Sequence, residues 1–314
     1  MRRIFVKSLK LMRPKQWIKN FAIFAAIIFS GQLFDPTLFS KVGLAFFAFC
    51  ATSSAIYIVN DIFDIEKDKI HPFKRFRPLA HGDLSVAYGT VLAVILFIAS
   101  LFLAHLVSSG FVILLLIYFF MQLSYSIFLK NLAVTDILLL ATGYILRVYA
   151  GEVATGYHIS VWLILTTVAL SLFLAVGKRK SELTLISQMP TAQIATIRKT
   201  LSHYSESLLN VYASIFATST FIFYSFFTFL ENPHGLRIGF SLLLPDFLPS
   251  YFERKWLMIT IVPVVYGLMR YLQDIYEKHE GESPEKVLLS DTPLLVTVVV
   301  WALLVIGIIY YLGG

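Results

Sequence analysis

Residues 39–59 read FSKVGLAFFAFCATSSAIYIV and pass directly into Asn60-Asp61-Ile62-Phe63-Asp64-Ile65-Glu66-Lys67-Asp68. The first stretch holds one charge, Lys41, near its start. A helix needs about 20 apolar residues to cross roughly 30 Å of hydrocarbon. This run therefore predicts a membrane span, with the acids standing at its mouth. Similar runs recur at 17–34, 84–107, 111–129, 132–150, 160–177, 207–230, 255–273 and 292–312. With 39–59 they predict an all-α integral membrane protein, a bundle of nine transmembrane helices in one domain spanning 1–314. Ser30, Gly31 and Gln32 interrupt the first run, and Pro263 predicts a kink in the eighth. Barrel strands would be about 10 residues long with alternating polarity, which these uniformly apolar runs are not.

The composition agrees. Of 314 residues, 58% are hydrophobic and only 14% charged, against about 25% in ordinary soluble domains. That excludes disorder and leaves too few charges to cover a soluble protein of this length. The single cysteine, Cys50, rules out an internal disulfide. The net charge of +7 has an explanation other than nucleic acid. Segments 1–20, 61–83, 130–131, 178–206 and 274–291 fall on one side of a nine-span chain and hold 20 of the 26 Lys and Arg. Basic residues collect on cytoplasmic loops beside anionic lipid. This side is therefore expected to be cytoplasmic, with the N-terminus, in a multi-pass protein of the plasma membrane. Loops 61–83 and 178–206 are expected to form the active site there.

Extending the second helix by two turns puts Asn60, Asp61, Asp64 and Asp68 on one face. Three carboxylates so placed repel one another unless a cation joins them. Hard oxygen donors suit Mg²⁺, which takes one or two carboxylates together with substrate phosphate oxygens. Lys74, Arg75 and Arg77 follow within ten residues. A metal-binding acidic face beside such cations is what a diphosphate requires. A lipid-anchoring basic loop would explain the cations but not the acids. Asp61, Asp64 and Asp68 are thus the expected metal ligands and, with Asn60, the expected catalytic group.

The pattern NDxxDxxxD over Asn60–Asp68, followed by Arg75-Phe76-Arg77-Pro78-Leu79-Ala80-His81-Gly82, resembles the first aspartate motif of the UbiA superfamily of intramembrane prenyltransferases. Ordinary members carry a second aspartate-rich motif after the sixth span. Here that place reads Gly177-Lys178-Arg179-Lys180-Ser181-Glu182-Leu183. This departure resembles the decaprenyl-phosphate phosphoribosyltransferase branch. So do Arg13–Asn20, His71–Arg75, Ser124-Tyr125-Ser126 with Lys130 and Asp136, Gly143–Arg147, and Glu280–Glu285. The resemblance implies a UbiA-like fold. It also implies transfer of 5-phosphoribose from phosphoribosyl pyrophosphate to a polyprenyl (decaprenyl) phosphate, for cell-wall arabinan precursors. The alternative is transfer of a prenyl group from a prenyl diphosphate to a small aromatic acceptor.

The residues suit the first chemistry. An acceptor phosphate is already an anion, so no strong general base is needed. Lys15, Lys19, Lys178, Arg179 and Lys180 are candidates for phosphates of donor or acceptor, with Glu182 beside them. Tyr125 and Ser126 are candidates to donate hydrogen bonds to phosphate or, for the tyrosine, to act as an interfacial anchor. Lys130 and Asp136 lie at the same membrane face. Arg147 should face the bundle interior and serve the site, unless it pairs with Glu152 or snorkels to the far surface. Glu277–Glu285 is expected to be a solvated loop. A transporter would carry ionisable groups deep in several spans; here they cluster at span ends. Membrane lipids are expected partners, and a homo-oligomer is compatible with the pattern.

Overall fold

The computed structural model describes residues 2–70, 74–187, 203–231, 256–278 and 284–312. Every regular element among them is helical: α1 (Arg2–Met12), α2 (Ala25–Phe29), α3 (Pro36–Phe63), α4 (Ile65–Ile70), α5 (Val86–Val107), α6 (Ser109–Ile127), α7 (Thr135–Thr155), α8 (Val161–Ser187), α9 (Glu206–Leu230), α10 (Ile261–Gln273), α11 (Pro284–Ser290) and α12 (Thr292–Gly307). Among the described residues, eight helices are long and apolar enough to cross a membrane, counting α10 with its flanking turns.

The first apolar run behaves differently. Residues Pro14–Phe24 form a 3₁₀ helix that continues into the five-residue α2. Pro14 starts it, and the turn at Ser30–Gly31, with Gly31 at φ +73°, ends it. A 3₁₀ helix rises about 2.0 Å per residue. Eleven such residues plus one α turn therefore reach roughly 30 Å, the thickness of the hydrocarbon core. This segment is not among the eight span-length helices, so the count of nine is approximate. Pro263 lies just after a change of helix type in the eighth run. It sits in the first turn of α10, after the 3₁₀ segment Trp256–Thr260, where its missing N–H breaks no helical bond.

Helix starts are fixed locally. Asp35 caps α3 through the N–H groups of Thr37 and Leu38, with Pro36 in the first turn. Ser85, Ser108, Ser205 and Asp291 cap α5, α6, α9 and α12. Such caps are typically worth about 1 kcal/mol each. The α3 helix occupies the centre, burying Ala48, Phe49, Thr52, Ser53, Ser54 and Ala55 among α5, α6 and α7. In lipid, helices associate by close packing rather than by a hydrophobic drive, so small residues mark the tight contacts. Gly151 on α7 is one of these. A Cβ there would stand 2.0 Å from the carbonyl oxygen of Ile23. The outer face of α5 exposes Val91, Val94, Ile95, Ile98 and Phe102. That stripe is the surface a multi-pass membrane protein turns toward lipid. The basic helix α1 is not a span: it lies across the mouth, burying Leu11 beside Ala55 and Ile58 and pairing Lys7 with Asp83 at 2.6 Å.

Candidate active site

The acidic motif spans a break between α3 and α4. Asp64 ends α3, yet its N–H bonds to the Asn60 carbonyl at 3.0 Å, and the Asp68 N–H bonds to the Asp64 carbonyl at 2.8 Å. These bonds carry the helical register across the break, so Asp61 and Asp68, seven residues apart, keep one face. One atom joins them. Arg77 Nη1 donates to Asp61 Oδ1 at 3.0 Å and to Asp68 Oδ2 at 2.6 Å. Arg13 also donates to Asp61 Oδ1 and lies over the Tyr57 ring. Lys130 Nζ reaches both oxygens of Asp64 at 2.8 and 2.9 Å. Asp61 and Asp68 are buried. Carboxylates out of water need such partners.

Two backbone strains lie at this mouth. Arg13 and Val134 adopt positive φ, 54° and 66°. Non-glycine residues there are strained by about 1–3 kcal/mol and need their surroundings to hold them. Arg13 is held by Asp61 and Tyr57. Val134 is held by Tyr204, whose hydroxyl accepts the Val134 N–H at 2.6 Å and donates to Asp136 at 2.6 Å. Burial and the carboxylate of Asp136 push the Tyr204 hydroxyl pKa upward, so it stays a donor.

A second polar group lies at the end of α8. Arg179 is fully buried. Its Nε lies 2.7 Å from Asp136 Oδ2, one Nη donates to Glu182 Oε2, and the other donates to the Tyr125 hydroxyl at 2.8 Å. Lys180 is bound to Asn210 at 2.5 Å and covers the Tyr276 ring. Lys178, half-buried, makes no hydrogen bond or ion pair among the described residues; its electrostatic neighbours include Tyr125, Glu182 and Lys19.

A third group joins the first to the C-terminal helices. Lys19 Nζ donates to Gln16 at 2.8 Å and pairs with Glu285 Oε2 at 2.9 Å. Burial alone would raise the Glu285 carboxyl, but the charge and hydrogen bond of Lys19, the Glu285 backbone N–H and the charge of Lys178 together outweigh it, and the net direction is down. Deeper in the bundle, Arg147 donates to Asn20 (2.8 Å), the Gly143 carbonyl (2.6 Å) and the Tyr118 hydroxyl (2.6 Å).

These positions refine the sequence expectations. Asp61, Asp64, Asp68, Arg77 and Lys130 meet at one mouth. Asn60 contributes its carbonyl to the register, and Lys74 opens the turn that carries Arg77. Arg75 is exposed and lies over the Phe76 ring, and Lys15 is exposed on the surface. Arg179 differs most from its expected role as a phosphate ligand. It is enclosed by Asp136, Glu182 and Tyr125, because a buried guanidinium without anions would be far costlier. Those three residues therefore hold Arg179, and Ser126 is buried nearby in sequence. Lys178–Glu182 lie on a helix, not a loop; residues 188–202 of the expected loop lie outside the described residues. Arg147 does not pair with Glu152, whose Oε1 instead lies 2.7 Å from His158 Nδ1. Glu285 is buried in α11, not solvated; 279–283 lie outside the described residues, as do His71–Phe73. Sequence reasoning missed Arg13 and Glu285 as site residues. Arg13 had a signal in the Arg13–Asn20 stretch, but its reach to Asp61 depends on a backbone turn no propensity rule supplies.

A helical bundle whose buried carboxylates and cations gather at one end defines a multi-pass membrane protein with a polar site at its mouth. The chain belongs to the UbiA prenyltransferase family, which residues 20–291 match. It is 34% identical over 306 residues to decaprenyl-phosphate phosphoribosyltransferase of Corynebacterium glutamicum, covering 96% of this chain and 86% of that one. It is also 34% identical over 307 residues to the protein of that name from Mycolicibacterium smegmatis, covering 96% and 92%. In structure it is similar to a UbiA homolog from Archaeoglobus fulgidus bound to GPP and Mg²⁺, with TM-score 0.69, 17% identity and coverage of 96% and 99%. That likeness establishes the fold.

Proposed function

We propose that this chain transfers 5-phosphoribose from phosphoribosyl pyrophosphate to a long polyprenyl phosphate, releasing pyrophosphate. The carrying observation is the 34% identity, over 96% of the chain, to enzymes named for that activity. The residues at the mouth support the chemistry. The bond from C1 of the ribose to the pyrophosphate oxygen breaks, and the electron pair leaves with pyrophosphate. A lipid phosphate oxygen attacks C1 and forms the new bond. No proton has to be removed from an acceptor that is already an anion, which agrees with the absence of a base–nucleophile pair in the sequence reading.

Asp61, Asp64 and Asp68 would hold Mg²⁺. Among the described residues no three such side chains converge closely enough to hold a metal as they stand: Asp61 and Asp68 share one nitrogen of Arg77, and Asp64 is taken by Lys130, so the donor set fits the ion only once these cations give way. Bound there, Mg²⁺ supplies positive charge to the oxygens of the departing pyrophosphate. In this reading Arg77, Arg13 and Lys130 exchange carboxylates for phosphate oxygens when the donor enters. Arginine meets them with a planar fork and lysine with a point charge. Lys178, an electrostatic neighbour of Tyr125, Glu182 and Lys19, is a further candidate cation for a phosphate of either substrate. Arg179 positions the end of α8 and does not touch substrate.

Thermal unfolding of the detergent-solubilised full chain tests the donor. Phosphoribosyl pyrophosphate with Mg²⁺ is expected to raise Tm, and chelator to remove the shift. A larger shift with geranyl diphosphate than with phosphoribosyl pyrophosphate would favour prenyl transfer instead.

A further inference from the structure

Glu285 is a buried carboxylate whose partners do not exhaust it. Its side chain is 3% exposed. Oε2 lies 2.9 Å from Lys19 Nζ in an ion pair, Oε1 has no such neighbour, and both oxygens are buried with hydrogen-bonding capacity left over among the described residues. Leaving a buried acceptor unsatisfied costs about 1–3 kcal/mol, more when it is charged. Such a group asks for an explanation in a ligand or an ordered water.

A second unsatisfied group stands in the same neighbourhood. The Tyr271 hydroxyl is buried without a hydrogen bond among the described residues, and it lies within electrostatic reach of Tyr144 and Glu285. Tyr271 packs on Gly177, where a Cβ would come within 3.0 Å of its hydroxyl. The next residue is Lys178, the cation without a direct ion pair, and Lys178 is itself an electrostatic neighbour of Glu285. Lys19 closes the group, reaching Glu285 on one side and Gln16 on the other. Gln16 Oε1 is also reached by the hydroxyl of Tyr57, the ring that carries Arg13. A chain of contacts thus runs from Asp61 through Arg13, Tyr57, Gln16 and Lys19 to Glu285.

The chemistry of this corner selects its ligand. An ionised carboxylate is an acceptor only. It repels a phosphate placed directly against it and takes hydrogen-bond donors. A prenyl chain offers none, so burying it here would leave Oε1 unsatisfied. Vicinal hydroxyls satisfy it, with the Tyr271 hydroxyl as a second partner and Lys178 and Lys19 balancing charge. We propose that Glu285 is the specificity-determining residue for the donor: its free oxygen accepts a hydrogen bond from a ribose hydroxyl, and Tyr271 lines the same subsite. The proposal rests on the phosphoribosyl reading and adds to it what separates a hydroxylated donor from a prenyl one. A site built around a substrate hydroxyl rejects analogues lacking it far more strongly than an apolar pocket rejects an extra group.

The test uses the full chain in nanodiscs with decaprenyl phosphate. Donors are phosphoribosyl pyrophosphate and its 2-deoxy and 3-deoxy analogues, compared for wild type and Glu285→Ala. Inorganic pyrophosphate serves as a competitive probe of the Mg²⁺–anion part of the site. Wild type is expected to lose roughly 10- to 100-fold in kcat/KM with one deoxy donor, the range for a hydrogen bond to a charged group. Glu285→Ala is expected to lose a similar factor with the full donor, and little more on going to that deoxy donor. Its inhibition by pyrophosphate should stay within about threefold of wild type by the same reasoning. Tyr271→Phe, which keeps the ring on Gly177, is expected to shift KM for the full donor without shifting pyrophosphate inhibition. Equal penalties for the deoxy donor in wild type and Glu285→Ala overturn the proposal. So does a loss of pyrophosphate affinity in Glu285→Ala as large as the loss of donor affinity, which marks a structural role. If wild type transfers no phosphoribose at all, the functional reading falls first and the inference with it.

Discussion

At Asp61, two guanidinium groups meet a single carboxylate oxygen, one from Arg13 and one from Arg77. Arg77 continues to Asp68, so one cation bridges two acids. In the proposed reaction that bridge is replaced by metal and diphosphate. Asp61→Asn and Asp64→Asn are each expected to lower turnover at least about 100-fold, the loss typical of removing an electrostatic group from a reacting centre. Size-exclusion profiles should be unchanged; near-normal turnover in both would remove the metal-site reading. Arg179 belongs to a different class. Removing it takes from Asp136 and Glu182 the guanidinium that both contact. Arg179→Met is expected to cost about 3–5 kcal/mol, the range for breaking a buried pair. Thermal unfolding in detergent checks it, and an unchanged Tm contradicts it. The Lys19–Glu285 pair has a pH signature. The Glu285 carboxyl lies below its ordinary value in the folded chain. Its contribution is therefore fully present above the usual glutamate pKa, about 4.3, and is lost as pH falls through the lower folded value. Stability that Glu285→Gln removes at pH 7 should accordingly be smaller near pH 4.

At the scale of elements, the sequence shows some features and hides others for physical reasons. The face shared by Asp61, Asp64 and Asp68 was legible because helical periodicity is local and survives the break between α3 and α4. The first span was legible as an apolar run but not as a drawn-out 3₁₀ helix, because Pro14 and Ser30–Gly31 bound its length while its neighbours set its pitch. Arg13 was hidden because its reach depends on a positive φ. Glu285 was hidden because the four Glu and one Lys from Glu277 to Glu285 read as solvated, whereas its partner Lys19 lies at the other end of the chain. The same N-terminal segment sets the strictest packing demand. Gly151 leaves no room for a Cβ against the Ile23 carbonyl, which is backbone and cannot rotate away. Gly151→Ala is expected to separate α7 from Pro14–Phe24 and to cost 1–3 kcal/mol or more. Lower Tm with a parallel loss of donor binding is the expected result. Unaltered Tm would mean that the two segments pack less closely.

At the scale of the molecule, the polar groups gather at one end of a bundle that turns apolar side chains outward. We propose, from the distribution of Lys and Arg, that this end faces the cytoplasm. The single cysteine, Cys50, is buried, which makes a reporter simple to build. In a Cys50→Ser background, Lys15→Cys is expected to react with an impermeant thiol reagent only from the cytoplasmic side of sealed vesicles. Labelling from the other side would invert the topology. The transfer reaction itself is the more direct trial of the account. Purified chain is incubated with Mg²⁺, phosphoribosyl pyrophosphate labelled in the ribose and decaprenyl phosphate, and the lipid fraction is read by mass spectrometry. The account predicts a lipid carrying one phosphoribose, formed with release of one pyrophosphate and abolished by chelator. A lipid fraction without phosphoribose, or a prenylated small acceptor when geranyl diphosphate replaces the labelled donor, would contradict it.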